Sequence, residues 1–373
     1  MMVWSSILKR ICGVAAVLAG LSPPVLAFAS DQLSPAQLSP MARPAITVSN
    51  PAQDLLISVT RAGNRLVAVG EHGLIIYSDD NGQSWRQAAV STSETITAVA
   101  FADAQHGWAA GGQGVILHST DGGAHWQLQL TDDQVLPLMT KAAASFTASH
   151  PGDDAADRAQ RRAGILADAG ADKPFLTVLA ATPQDATVFG AYRLTVATVD
   201  GGKTWADWSL HVGDPVSHNI YKVTPIGSSI YLTGEAGVVL RSDDGGQNYT
   251  MLTVPDQNTF LGILGTKQGA VLTFGVAGEI FRSTDHGQSW TQAQSPSTSD
   301  LTDGIVLSSG IILLTSEDGN LYASQDDGKS FAPAGANLKM GVFGVTQAAN
   351  GDLVFVGSGG VRVEPAASFQ AAP

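Results

Sequence analysis

The sequence predicts an all-β chain folded as a seven-bladed β-propeller of four-stranded blades. Three observations carry that reading. An eight-residue block recurs, beginning at residues 78, 119, 198, 242, 283 and 324. Its spacings of 41, 79, 44, 41 and 41 residues match one four-stranded sheet with its turns, the 79 being one repeat plus an insertion. Between the copies lie short apolar runs bounded by Gly, Asn and Asp, which are strands and tight turns rather than helices.

Lys9 and Arg10 precede an apolar run from Ile11 to Leu21 and a small-residue exit at Ala27-Phe28-Ala29, so residues 1–29 read as a cleaved secretory signal. Pro23 and Pro24 break the run, and a spanning helix needs about 20 apolar residues. The expected location is periplasmic, or otherwise exported. The one cysteine, Cys12, lies too early in the segment for a lipid anchor, and the mature chain holds no thiol. Disulfides, thiolate metal sites and a cysteine nucleophile are thereby excluded. The full chain carries a formal charge of −13, a surface that repels nucleic acid and anionic lipid. Residues 30–44 read as a disordered linker, 45–364 as the propeller and 365–373 as a disordered tail.

The first blade shows the unit. Leu55 to Thr60 alternates apolar and polar, Gly63-Asn64 turns, Arg65 to Val69 returns, Glu71-His72-Gly73 turns again, and Leu74 to Ser78 leads into the block. The six blocks run Ser78 to Trp85, Ser119 to Trp126, Thr198 to Trp205, Ser242 to Tyr249, Ser283 to Trp290 and Ser324 to Phe331. Asp80, Asp121, Asp200, Asp244, Asp285 and Asp326 fall inside the turn between the third and fourth strands, where a short carboxylate accepts backbone N–H bonds. The closing aromatics Trp85, Trp126, Trp205, Tyr249, Trp290 and Phe331 plug the core between blades. After the last block, Val342 to Gln347, Asp352 to Gly357 and Val361 to Glu364 supply three strands of a seventh blade. Ala45-Ile46-Thr47-Val48 is the candidate fourth, closing the ring; an open six-bladed ring is the alternative.

The block resembles the Asp-box, or BNR, motif, whose family is built of β-propellers. That resemblance implies a structural role for the six aspartates.

Residues 131–174 fit no blade and read as a helical insertion between blades 2 and 3. The helix is expected over Asp153 to Ala169, capped by Asp153 or Asp154 and carrying Arg158, Arg161 and Arg162. Antiparallel order puts the insertion on the face opposite the boxes, with the turns between second and third strands: Glu71, His72, Gln113, Tyr192, Arg193, Glu235 and Glu317. Loops on a rigid scaffold carry function, so these seven and the three arginines are the candidate partner-binding residues.

Catalysis is not expected. Sialidases on this fold need three converging arginines and a tyrosine paired with a glutamate, whereas Arg61, Arg65, Arg241 and Arg282 belong to the box face. No nucleophile elbow, phosphate loop or zinc-protease motif occurs, and His72, His106, His118, His125, His150, His211, His218 and His286 lack metal-ligand spacing. No cofactor or metal is implied. A carbohydrate-binding or glycoside-cleaving propeller is the competing expectation, resting on Glu71, Glu235 and Glu317.

The run Gly111-Gly-Gln-Gly-Val-Ile-Leu-His-Ser-Thr-Asp-Gly-Gly-Ala-His-Trp126 is similar to the repeat of the photosystem II stability/assembly factor family, and the similarity extends from about residue 50 to 364. It implies a non-catalytic scaffold without a cofactor that binds a newly made membrane protein on the exported side and aids its assembly; the chain itself is expected to be a monomer. This chain lacks the lipid-anchoring cysteine of cyanobacterial members. Only Arg158, Arg161 and Arg162 come near that family's arginine-rich patch.

Overall fold

Strands that alternate in polarity need cover on the core-facing side, and blades packed face to face around a ring give each other that cover. In a computed structural model describing residues 39–168, 173–213 and 217–369, seven antiparallel sheets form, six of four strands and one of three. Blade 1 consists of Leu56–Ala62, Arg65–Gly70, Ile75–Ser78 and Arg86–Gln87, paired in chain order. The innermost strands of blades 2 to 7 are Ile96–Phe101, Phe175–Ala180, Ile220–Ile226, Phe260–Gly265, Leu301–Val306 and Val342–Gln347. Each touches the next, and the seventh touches the first, so the ring is closed.

Every joint between blades holds one apolar cluster and one aromatic plug. Trp126 sits between blades 1 and 2, Trp205 between 2 and 3, Tyr249 between 3 and 4, Trp290 between 4 and 5, Phe331 between 5 and 6 and Trp85 between 7 and 1. The box sets the aromatic's position through a fixed hydrogen-bond net. In the first copy Ser78 Oγ donates to Asp80 Oδ1 at 2.7 Å and accepts from Gly82 N at 2.9 Å. Ser84 N donates to Asp80 Oδ1 at 2.9 Å, and Trp85 Nε1 donates to Gly82 O at 3.1 Å. Gly82 takes φ +88°, closed to other residues without strain. The turn between second and third strands has its own constraint: a Cβ on Gly70 would stand 2.1 Å from Leu55 O.

Blades 1 to 5 each also reach onto the main chain of the next blade's box. Arg65 Nη1 donates to Asp121 O, Gln129 Nε2 to Gly201 O, Trp208 Nε1 to Gly246 O, Arg241 Nη1 to His286 O and Arg282 Nε to Asp327 O. Blade 7 meets the box of blade 1 through a side chain instead, Asn350 N donating to Asn81 Oδ1. Arg61, Arg65, Arg241 and Arg282 therefore serve the box face, with Arg61 Nε donating to Gly63 O.

Three expectations are corrected. Ala45 to Val48 does not form the fourth strand of blade 7. Ala45 N donates to Val90 O, and the Gln87 side chain clamps Val48 N and Ile46 O, so this segment lies along the outer edge of blade 1. Within the stretch read as a disordered linker, residues 39–44 include a short 3-10 turn, Pro40–Ala42, with Pro40 O accepting from Ser93 N. Within the expected tail, Ala366–Phe369 is another 3-10 turn. Blade 7 has no box, and Phe369, 5 % exposed, fills the joint between blades 6 and 7 beside Phe355. The proposed signal at 1–29 lies outside the described residues.

The insertion forms two helices, α1 (Asp132–Ser149) and α2 (Asp154–Asp168). Asp153 Oδ1 caps α2 by accepting from Ala155 N at 2.7 Å. Val135, Met139 and Leu166 join the cluster between blades 2 and 3, so the insertion is packed onto the ring.

Two outcomes follow. Phe369→Ala should cost about 3 kcal/mol, in the range for emptying a buried aromatic site, read from urea denaturation alongside Trp126→Ala; a loss under a quarter of Trp126→Ala's would deny Phe369 the plug role. Hydrogen bonds from the side chain and backbone at position seven of the box (Ser84, Thr204, Asn248, Ser289) hold Asp80, Asp200, Asp244 and Asp285 at pKa about 2. A carboxyl lowered on folding stabilises fully above its unfolded value, and that contribution fades as pH drops toward the folded one. The denaturation midpoint should fall between about pH 4 and pH 2, and Asp285→Asn should flatten that fall.

Candidate partner-binding face

Opposite the boxes, the turns between second and third strands are rigid. In blades 1 to 3 the apex residue is held left-handed, His72 at φ 57°, Gln113 at 47° and Tyr192 at 55°, by a short 3-10 turn between two paired strands. Blades 1 and 2 close that turn with a glycine. Blade 3 uses Arg193, itself at φ 57°.

The structure brings one group of candidates together. On α2, Ala156, Ala159, Arg162, Ala163 and Leu166 are buried, while Arg158, Arg161 and Ile165 are exposed. Arg162 Nη1 donates to Arg193 O at 3.3 Å, and its Nη2 meets Asp207 Oδ2 at 3.3 Å. Burial lowers the Arg162 pKa, against the pull of Asp207. Arg193 is also buried, with Nη1 donating to Val212 O. These two arginines, expected as binding residues, fasten the insertion to blade 3 and are not offered to a partner. Tyr192 beside them stays 42 % exposed, and Ile165 is 61 % exposed.

Glu235 is spoken for as well: Oε1 accepts from Asn219 N at 2.8 Å and Oε2 from Asn219 Nδ2. Asn219 Oδ1 in turn accepts from Tyr192 N, a relay that sets the turn of blade 3 from blade 4. Gln113 lies at the turn that abuts the start of α1, where a Cβ on Gly114 would meet Asp132 N. Glu71 and His72 stand apart on blade 1, lining a cavity of ≈ 250 Å³ with Ile46, Val48, Asp54, Leu55 and Leu74. Glu317, on blade 6, has its pKa raised by burial and by Asp300 and Asp318. Glu71, Glu235 and Glu317 thus have separate neighbours on three blades.

Two features escaped sequence reasoning. The first is α1, which the spacing of Thr131 and Gln134 could have shown: Thr131 N donates to Gln134 Oε1, half of a capping box. The second is an ion pair inside the ring. Lys222 Nζ and Asp303 Oδ1 meet at 2.8 Å between the innermost strands of blades 4 and 6, and Asp303 Oδ2 accepts from Val345 N. Both line a central cavity of ≈ 210 Å³ with Thr97, Thr177 and Thr302. A charged residue in each of two apolar inner strands was the available signal. Among the described residues no cluster of His, Cys, Asp or Glu could hold a metal, and no helix is long and apolar enough to cross a membrane.

The repeated box, the plugged joints and the closed ring define an Asp-box β-propeller carrying a helical insertion. At residues 78–147 and 166–361 the chain matches the family described as Photosynthesis system II assembly factor YCF48, and it belongs to that family. A photosystem II assembly lipoprotein Ycf48 of Synechococcus sp. (strain CC9902) is 33% identical over 70 residues, 19% of this chain and 21% of the relative. The chain therefore matches only about a fifth of that relative's length. Among solved structures, YCF48 bound to D1 peptide superposes with a TM-score of 0.62 at 15% identity, covering 86% of this chain and 97% of the other. YCF48 from Cyanidioschyzon merolae gives 0.59 at 16%, covering 84% and 96%. A GH74 xyloglucanase from Xanthomonas campestris gives 0.60 at 15%, covering 88% of this chain and 54% of that one. At these identities the superpositions show the fold alone.

Breaking the Arg162–Asp207 pair should separate the three arginines. Arg162→Ala leaves a buried carboxylate uncompensated and should cost about 3 kcal/mol in urea denaturation, whereas Arg158→Ala and Arg161→Ala should leave the midpoint unmoved.

Proposed function

We propose that this chain is an exported, non-catalytic scaffold that binds a membrane-protein partner through the face opposite the boxes and aids its assembly or stability. The observation that carries the reading is the packing of the insertion. Helix α2 is locked to blade 3 by Arg162, which bonds the turn that carries the exposed Tyr192, and Arg158, Arg161 and Ile165 are exposed on the same helix. Two cations with an isoleucine and a tyrosine suit a partner segment that is both apolar and acidic, as interfaces favour arginine and aromatic anchors. Family membership adds support, and one solved YCF48 holds a D1 peptide. The Lys222–Asp303 pair and the separate placing of Glu71, Glu235 and Glu317 favour binding over glycoside cleavage, which needs two carboxyls about 5 to 10 Å apart across one cleft.

Affinity capture from solubilised membranes tests this with the mature chain and an Arg158→Glu/Arg161→Glu variant. Deleting the insertion outright would uncover the joint between blades 2 and 3, so exposed-residue changes are the cleaner probe. The wild-type chain should retain a membrane protein and the variant should lose most of it. Equal retention by both would move the contact elsewhere, and capture of no membrane protein by either would sink the scaffold reading.

A further inference from the structure

Among the described residues blade 7 stops one strand short, and no strand pairs with the outer side of its third strand, Gly360–Glu364, whose start at Gly360 packs against Pro51–Gln53. In blades 1 and 3 to 6 the residue just past the fourth strand donates its N–H to a fixed acceptor on the third: Ala88 to Ile75, Trp208 to Thr195, Leu252 to Val239, Ala293 to Ile280 and Ala334 to Leu321, all at 2.8 to 2.9 Å. Ile75 stands opposite Val69 on the second strand, and Val361 stands opposite Val356 in the same way. The C=O of Val361 is therefore the equivalent acceptor, and no donor among the described residues meets it. Sheet edges of this kind recruit extended chains.

The ground beside the edge has a defined chemistry. Arg362, exposed on the strand, and exposed Lys339 border a groove of ≈ 400 Å³ whose apolar lining includes Leu338 and Phe369, with Glu364 at one end. Elsewhere Arg65, Arg162, Arg241 and Arg282 each hold an aspartate, whereas Arg362 and Lys339 make no ion pair among the described residues.

We propose that the edge of blade 7 is a docking strand for an extended segment of the partner polypeptide, which adds there as the missing fourth strand. The inference rests on the partner-binding function proposed above and names the chemistry of one contact. By the geometry of blade 1, where Gln87 lies opposite Ile76 and Ala88 follows it, the added strand places one residue opposite Arg362 and the next against Val361. The first is Asp or Glu, to meet Arg362 and Lys339. The second is apolar, as Ala88, Trp208, Leu252, Ala293 and Ala334 are.

Two other occupants fit less well. A second copy adding in the register that uses both outward residues, Val361 and Val363, sets Arg362 opposite Arg362, and like charges directly opposite destabilise a strand pair. Of this chain's own described N-terminal segment, Pro51–Gln53 packs against the start of the strand at Gly360, but no bond from it reaches the C=O of Val361, and Pro40 to Val48 is fastened to blade 1 and the segment that follows it.

Fluorescence anisotropy with the labelled peptide Thr-Val-Thr-Glu-Leu-Thr tests the site directly. Saturable binding is expected, weakened about fivefold when Glu becomes Lys, as a cross-strand charge pair is worth up to ~1 kcal/mol. N-methylation of the peptide Leu, which removes the N–H donated to Val361, should abolish it. Arg362→Glu should reverse the Glu-over-Lys preference. Absence of saturable binding, or a preference that Arg362→Glu leaves in place, overturns the proposal. Arg362→Glu in the membrane capture separates the two readings. A partner retained as well by this variant as by wild type removes the edge as its site and leaves the scaffold function standing. Peptide binding with no partner captured does the reverse.

Discussion

The ring depends on one recurring device: an aromatic side chain carried to each joint between blades by a turn that cannot hold its shape without a buffered carboxylate. Neighbouring sheets diverge from the axis outward, so the outer part of each joint is wider than apolar residues on the third strand can fill. A fourth strand of two residues, as in blade 1, adds little cover. The box solves this by turning its backbone tightly enough to aim Trp, Tyr or Phe back between the sheets. The aspartate makes that turn affordable because each of its oxygens accepts bonds from within the same block, two residues before and four after. The same geometry explains why six aspartates on one face need not be catalytic. Each is consumed locally, and hydrogen bonding keeps each ionised.

Much of this was legible because it repeats. Six copies of one block set blade length, strand order and the identity of the plugs, and errors in any one copy are outvoted by the rest. What repeats only in space was not legible. Phe369 does the work of a box aromatic without a box: it arrives from the chain's end on a 3-10 turn, so no spacing marks it. Ala45 to Val48 was the candidate to close the ring, but a short apolar run does not name its partner, and Gln87 claimed its polar groups first. The three arginines of α2 could not be told apart by sequence. Their roles divide by burial, with Arg162 buried among Ala159, Ala163 and Leu166 while Arg158 and Arg161 stay exposed.

The candidate face shows the same division between support and display. Arg162 was read as a contact residue for its charge on the insertion's helix, and Arg193 and Glu235 for their turns opposite the boxes. Each proves to be held by other groups of the chain, and together they immobilise the turn at Tyr192 and the helix beside it. Immobilising the display surface has a use: side chains already fixed lose less entropy when a partner arrives. Lys222 and Asp303 act similarly in the centre of the ring, tying blades 4 and 6 across the axis where apolar packing alone would leave a gap.

Blade 7 is where these lines of argument meet. A propeller ordinarily protects its edges by completing every sheet, and here no donor among the described residues meets an acceptor on the third strand, while the joint behind it is sealed. The sealing separates two jobs that the box performs together in the other blades. Phe369 closes the core between blades 6 and 7, so stability does not require a fourth strand. The strand edge is then free to be used, and Arg362 with Lys339 biases what can use it. Covering the joint from the tail, with no described strand paired to the edge, suits a site that is occupied only when a partner is present, since an edge needed for the core would have to be filled from within the chain.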